Sequence, residues 1–172
     1  MSVGRTLGLV AERALKAAKP AAISGGSGGF TNSLLSRVRS LAMRAAETGD
    51  TRDDLHPCAL GAAVVFADGA FATAHQLKAL EYGCTQDSVC QLAPAMKAAT
   101  EKQNPPLILC MADQFGCCHA PFAPGRAFLV EHGLGDLRVL CQDKVGGLHT
   151  PAAVELIPGL PQWDRPLDET AP

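Results

Sequence analysis

The run Ala59-Leu60-Gly61-Ala62-Ala63-Val64-Val65-Phe66-Ala67-Asp68-Gly69-Ala70-Phe71-Ala72-Thr73-Ala74-His75 sets the arrangement of everything around it. Leu60–Phe66 and Ala70–His75 are two apolar runs joined at Asp68-Gly69. Asp-Gly between such runs is a strong hairpin signal, because both residues tolerate positive φ.

Working outward, Thr31, Asn32 and Ser33 offer N-caps ahead of Leu34, Leu35, Val38, Leu41, Ala42 and Ala45, whose spacing predicts a helix over 31–48 with one buried face. Beyond the hairpin, Thr85 is expected to cap a helix over 85–102 with Asp87 in its first turn, and Pro94 should kink or shorten it. Pro106–Ala112 reads as a buried strand, Gly116–Ala120 as a loop, and Pro121–His132 as a helix ended by Gly133. Leu137–Cys141 and Gly147–Thr150 add short strands, and Pro151–Ile157 a closing helical turn and a half. This order calls for an α/β domain: a three-layer α/β/α sandwich with a mixed, roughly five-stranded sheet, antiparallel at the hairpin and parallel where helices cross over.

A chain of 172 residues suits one such domain. Residues 5–18 place Leu7, Val10, Ala14 and Leu15 at helical spacing among Arg5, Arg13 and Lys16, a short basic amphipathic helix that Pro20 ends. An organelle presequence has a similar composition, though Glu12 and the modest serine content argue against one. Ser24-Gly25-Gly26-Ser27-Gly28-Gly29 follows; a phosphate cradle would need a preceding strand and a following Lys-Ser/Thr, so the segment reads as a linker. The expected division is an N-terminal helix and linker over 1–29, a folded domain over 30–158, and a proline-rich tail over 159–172 carrying Trp163.

Hydrophobic residues at 47% and charged residues at 19% are ordinary for a soluble domain. A net charge of −2 and 5% aromatics leave no general attraction for phosphate backbones and few stacking platforms, so no nucleic-acid partner is expected. No run reaches the roughly 18 apolar residues of a membrane span, so no membrane partner is expected either. Seven cysteines, an odd number, point to reduced thiols in a cytosol-like compartment rather than a disulfide framework.

Several phrases, in order, resemble the cytidine deaminase family over residues 31–160. Leu34–Arg44 is similar to its first helix, Ala59–Val64 with Asp68-Gly69 to its V-G-A-A-L strand and D-G turn, and Tyr82-Gly83 to the S-Y-G before the catalytic helix. Arg126–Glu131, read RAFLVE, resembles the R-Q-x-L-x-E after the second zinc motif, and Ala153–Pro158 the closing x-x-E-L-L-P. The resemblance implies zinc held by one Cys or His and two Cys thiolates at helix N-termini, a metal-bound water that attacks a pyrimidine ring, and a Glu that shuttles protons.

At the matching positions this chain departs from that pattern. The family's C-A-E aligns with Asp87-Ser88-Val89, so the proton shuttle becomes an alkyl chain. Pro121-Phe122-Ala123-Pro124-Gly125-Arg126 stands where Pro-Cys-Gly-x-Cys-Arg would, leaving Phe122 and Gly125 at the thiolate positions. One carboxylate cannot fix a tetrahedral zinc. The sugar-binding N-V-E aligns with Gln76-Leu77-Lys78, turning a carboxylate into a cation. The expected metal, cofactor and catalytic residues are therefore none, with Phe122 turned into the space zinc would take and Val89 packed against it.

Other groups invite chemistry on paper. Cys117-Cys118-His119 clusters metal-binding types, but adjacent side chains seldom converge on one ion. Cys58, Cys84, Cys90, Cys110 and Cys141 lie in or beside apolar runs and read as small core residues. His56, His75, His132 and His149 are scattered, and nothing in spacing favours a nucleophilic Cys118–His132 pair.

The expectation is a non-catalytic cytidine deaminase-like protein serving as a structural or scaffold subunit, homo- or hetero-oligomeric. Leu7, Val10 and Trp163 are its candidate contacts to other protein subunits. Its expected setting is cytoplasmic, in an assembly such as a cytoskeletal or ciliary one, with a mitochondrial setting as the alternative. The competing reading is a divergent cytidine or deoxycytidine deaminase with a non-standard zinc site.

Overall fold

The computed structural model describes residues 30–49, 58–81 and 84–157. The expectations for 1–29, for Tyr82-Gly83 and for the tail, with Leu7, Val10 and Trp163, lie outside the described residues.

The described elements begin with α1 (Asn32–Glu47), whose N-cap Thr31 accepts a hydrogen bond from the Leu34 amide at 3.3 Å. The hairpin follows as β1 (Leu60–Phe66) and β2 (Phe71–His75). Gly69 takes φ 83° at its turn, and Asp68 Oδ1 accepts from the Ala70 amide at 2.8 Å. This is the local carboxylate-to-backbone bond that makes Asp a turn former. Next come α2 (Ser88–Gln91), α3 (Ala93–Glu101), β3 (Pro106–Asp113), β4 (Cys118–His119), α4 (Ala123–Glu131), β5 (Arg138–Gln142), β6 (Leu148–His149) and a 3-10 turn over Ala153–Leu156.

The six strands form one mixed sheet in the order β2-β1-β3-β5-β6, with β4 paired to β3. β1 lies antiparallel between β2 and β3, while β3 and β5 run parallel because α4 carries the chain across between them. The two-residue β4 sits in the segment expected to be a loop, so the sheet has six strands rather than five. Its length explains the miss: no alternation can be read from two residues.

Every residue of β1 is buried, which is why it reads as a continuous apolar run rather than an alternating one. Ala62, Val64 and Phe66 join Val89, Leu92, Met96 and Leu129 on the face covered by α2, α3 and α4. Ala63 and Val65 join Val38, Leu41 and Ala42 on the face covered by α1. β3 likewise gives Leu109 and Met111 to the first core and Ile108, Cys110 and Ala112 to the second, so the three-layer sandwich is built around strands that serve both. On the α1 face the layers meet at Gly61, where a Cβ would collide with the Ala42 carbonyl and the Ala46 amide.

The expected single helix over 85–102 is two helices joined at Leu92, with Pro94 in the first turn of α3. Proline lacks the amide that a continuous helix would use there, so the first helix stops after one turn. Asp87 is the N-cap of α2 rather than a residue of its first turn, and Thr85 lies before the helix. Among the thiols, Cys110 and Cys141 are buried and Cys90 is half-buried, but Cys58 and Cys84 are exposed. Those two fall just outside the elements they border, Cys58 before β1 and Cys84 before α2, so the sheet does not enclose them.

Candidate functional site

β1 starts and β3 ends at the same edge of the sheet, where Leu60 pairs with Asp113, and β2 finishes beside them with His75 opposite Gly61. Here the chain leaves β2 through Gln76-Leu77-Lys78 and returns to form an isolated antiparallel bridge between Leu77 and Gln86. The Leu77 amide donates to the Gln86 carbonyl at 3.1 Å and the Gln86 amide to the Leu77 carbonyl at 2.9 Å. In that register Gln76 stands opposite Asp87, both on the side away from Leu77. Gln76, Lys78, Asp87 and Ser88 are all buried.

Asp87 holds the start of α2. Its Oδ1 accepts from the Val89 amide at 2.7 Å, satisfying one of the donors that a helix N-terminus leaves open. Its Oδ2 lies against α4: a Cβ built on Gly125 would come 2.7 Å from Asp87 Oδ2 and 3.2 Å from the Val89 Cβ. Glycine is what allows this approach. Burial pushes the Asp87 carboxyl up, and the amides of Val89, Phe122, Gly125 and Cys90 only partly offset that. Those last three amides favour the charge from a distance, since Oδ2 itself has no partner meeting hydrogen-bond geometry among the described residues. Both polar atoms of the Gln76 side chain and the Ser88 hydroxyl are likewise unpartnered among them. Unpaired buried polar atoms are rare enough that a cluster of them marks a functional or strained place.

A second buried carboxylate, Asp113, ends β3 at the same edge. Its Oδ1 accepts from the Phe115 and Cys117 amides, each at 2.9 Å, and its Oδ2 pairs with His119 Nε2 at 2.9 Å. Burial alone would raise this carboxyl, but the His119 ring and the two amides outweigh it and hold it below its ordinary value.

Three of the four positions aligned with the zinc motifs, Asp87, Val89 and Gly125, are therefore in contact, at the N-termini of α2 and α4. The fourth corrects an expectation. Phe122 is the N-cap of α4 and 37% exposed, so its ring does not fill the space. Its extended backbone, φ −63° and ψ 168°, places it ahead of the helix, and the Asp87–Gly125–Val89 contact closes the interior without it. Val89 is fully buried, as expected for a packing residue.

Gln76 and Lys78 lie at this same edge. Cys118 and His132 do not meet: Cys118 packs in the core beneath α1, whereas His132 ends α4 on the other face, its ring 4.3 Å from that of Phe128. Cys118 of β4 is buried while its neighbours Cys117 and His119 are not, so the three do not converge. Among the described residues no group of three His, Cys, Asp or Glu side chains could hold a metal ion. The residues that sequence reasoning passed over are Ser88 and the Asp113–His119 pair. A carboxylate and a histidine on either side of the turn at Gly116 were the available signal for the pair.

No protein-family model and no curated protein sequence matches the chain. Solved structures do. Cytidine deaminase from Mycobacterium tuberculosis is 25% identical with a TM-score of 0.57, covering 73% of this chain and 97% of that one. The Mycobacterium leprae enzyme is 20% identical with a TM-score of 0.58, over 76% and 100% of the two chains. The Burkholderia pseudomallei enzyme is 19% identical with a TM-score of 0.57, over 75% and 98%. With the element order, the mixed sheet and the two converging helix N-termini already in place, these neighbours identify the chain as one with the cytidine deaminase-like fold.

Proposed function

We propose that this protein is a non-catalytic, cytidine deaminase-like structural subunit that works by binding other proteins in a larger assembly. The observation that supports this most is the contact of Asp87 and Val89 with Gly125 at the two helix N-termini. A deaminase needs a metal-activated water at such a place and a carboxylate to move its protons. The residues do not fit that zinc: one carboxylate already committed to capping α2, one alkyl chain and one glycine offer no tetrahedral ligand set. Asp87 Oδ1 is held by an amide and Val89 has no group that can take up or release a proton, so no step of hydrolysis can be assigned to them.

Binding falls to the ends of the chain on this reading. Leu7 and Val10 on the basic amphipathic segment and Trp163 in the proline-rich tail are apolar anchors of the kind that seat in a partner's pockets. No helix among the described residues is long and apolar enough to cross a membrane; the odd number of cysteines favours a reducing, cytoplasm-like setting for the assembly.

A divergent deaminase is the second reading. It draws support from the unpartnered polar atoms of Gln76, Asp87 and Ser88, which resemble the lining of a ligand site. Two measurements separate the readings. Incubation of zinc-supplemented protein with cytidine and deoxycytidine should release no ammonia. Deleting residues 1–29 together with Trp163→Ala should leave the domain folded and abolish co-purification with partner proteins. Turnover in the first experiment, or unchanged association in the second, overturns the proposal.

A further inference from the structure

Beneath α1, away from the candidate site, two thiols touch. Cys110 Sγ donates to Cys118 Sγ across 3.7 Å, and both residues are buried. The register explains how they meet. Ala112 of β3 stands opposite Cys118 of β4, and Cys110 lies two residues back along β3 on the same face of the pleat. The pair is therefore a diagonal one, wider than a directly opposed pair, so bridging it requires the backbone to move.

We propose that Cys110 and Cys118 form a reversible dithiol–disulfide site, oxidised by a hydroperoxide such as hydrogen peroxide. A disulfide needs about 2.05 Å between sulfurs, leaving roughly 1.7 Å to close. β4 is the side that can supply it, being a two-residue strand held to β3 by only two register pairs and preceded by Gly116 at φ 83°.

Burial alone would leave a thiol inert. The Cys110–Cys118 pair differs from a lone buried cysteine in two ways. The Cys110 hydrogen bond and the nearby Arg39 guanidinium, working against burial and the Asp113 charge, shift Cys118 toward thiolate, while the same bond and burial keep the proton on Cys110. Arg39 is fixed in place by α1 and by the bond from its Nε to the Gly116 carbonyl at 2.8 Å.

In the step itself the Cys118 thiolate attacks one peroxide oxygen, breaking the O–O bond and giving a sulfenic acid and hydroxide, which takes up the proton Cys118 released. The Cys110 sulfur then attacks the Cys118 sulfur, the S–O bond breaks, and the departing hydroxide leaves as water with the Cys110 proton. Two thiols are oxidised and one peroxide is reduced to two waters. The bond would tie β4 to β3 beneath the 114–117 turn, whose Phe115 side chain is exposed, and so make that rim respond to oxidant.

The test uses the full chain. Purified, reduced protein is treated with hydrogen peroxide, its remaining thiols are alkylated in denaturant, and the digest is mapped by mass spectrometry without reduction. The expected result is a peptide pair linked through Cys110 and Cys118, the loss of two alkylatable thiols of the seven, and recovery of both with dithiothreitol. Cys118→Ser should remove the linked pair, as should Cys110→Ser. Peroxide-treated wild type in which Cys110 and Cys118 alkylate as fully as in untreated protein overturns the proposal, as does oxidation that links either to an exposed thiol such as Cys117, Cys58 or Cys84 instead.

Discussion

On one face of the sheet Gly61 lets the backbone of α1 lie against β1; on the other, Gly125 lets α4 lie against the carboxylate of Asp87. The first contact is backbone on backbone, inside a core of Val38, Leu41, Ala42, Ala63 and Val65. The second is backbone on a charged side chain, flanked by the unpartnered polar atoms of Gln76 and Ser88. One face is closed by packing alone. The other is closed over groups that packing alone would not select.

The sharpest way to break the comparison is at Gly61. A methyl there meets the Ala42 carbonyl and the Ala46 amide, and neither can rotate away. Gly61→Ala should cost at least about 3 kcal/mol in denaturant unfolding, the upper end for overpacking. Gly125→Ala meets the end of a side chain instead, and alanine gains helix propensity over glycine. Its net cost should therefore be smaller, about 1–2 kcal/mol. Equal costs at the two positions would mean that the two faces are closed in the same way.

Asp87 and Asp113 sharpen the contrast through pH. Because burial raises the Asp87 carboxyl in the folded state, the native protein binds a proton more tightly there than the unfolded chain. Its contribution therefore falls as pH rises from the ordinary carboxyl value through the raised folded one. Asp113 has the opposite sign: its stabilisation is present above the ordinary value and lost as pH falls through the depressed folded one. Asp87→Asn should remove the first slope and keep the second. A stability profile unchanged by Asp87→Asn would show that the carboxylate is not held as described.

The smallest effect should come from Phe122→Ala, under about 1 kcal/mol, since its ring is partly exposed and it makes no side-chain cap. A loss of about 3 kcal/mol or more would put the ring back in the core.

The sequence was most readable where one physical rule acts locally. The Asp68-Gly69 turn, the Thr31 cap and the apolar run of β1 each carry their own signal, and each stands where it was expected. The alignment also brought Asp87, Val89 and Gly125 to one place from segments far apart in the chain. What could not be read was the direction of a side chain at a helix boundary. Phe122 was expected inside because the space zinc would take ought to be filled rather than left as a cavity, but a cap residue lies outside its helix and Gly125 lets α4 close the gap. The unpartnered state of Gln76 and Ser88 was equally hidden, since it depends on which donors and acceptors the fold withholds. So was the Cys110–Cys118 contact, which needs the register of a strand too short to show any pattern.

On the proposed reading, the place where the N-termini of α2 and α4 meet is closed by Asp87, Val89 and Gly125 and binds no zinc. Elemental analysis of the purified full-length chain, after zinc supplementation and removal of loosely bound ion, tests it most directly. Zinc should come out far below one equivalent per chain, unchanged by Asp87→Asn. A value near one zinc per chain, lost in Asp87→Asn, would contradict it.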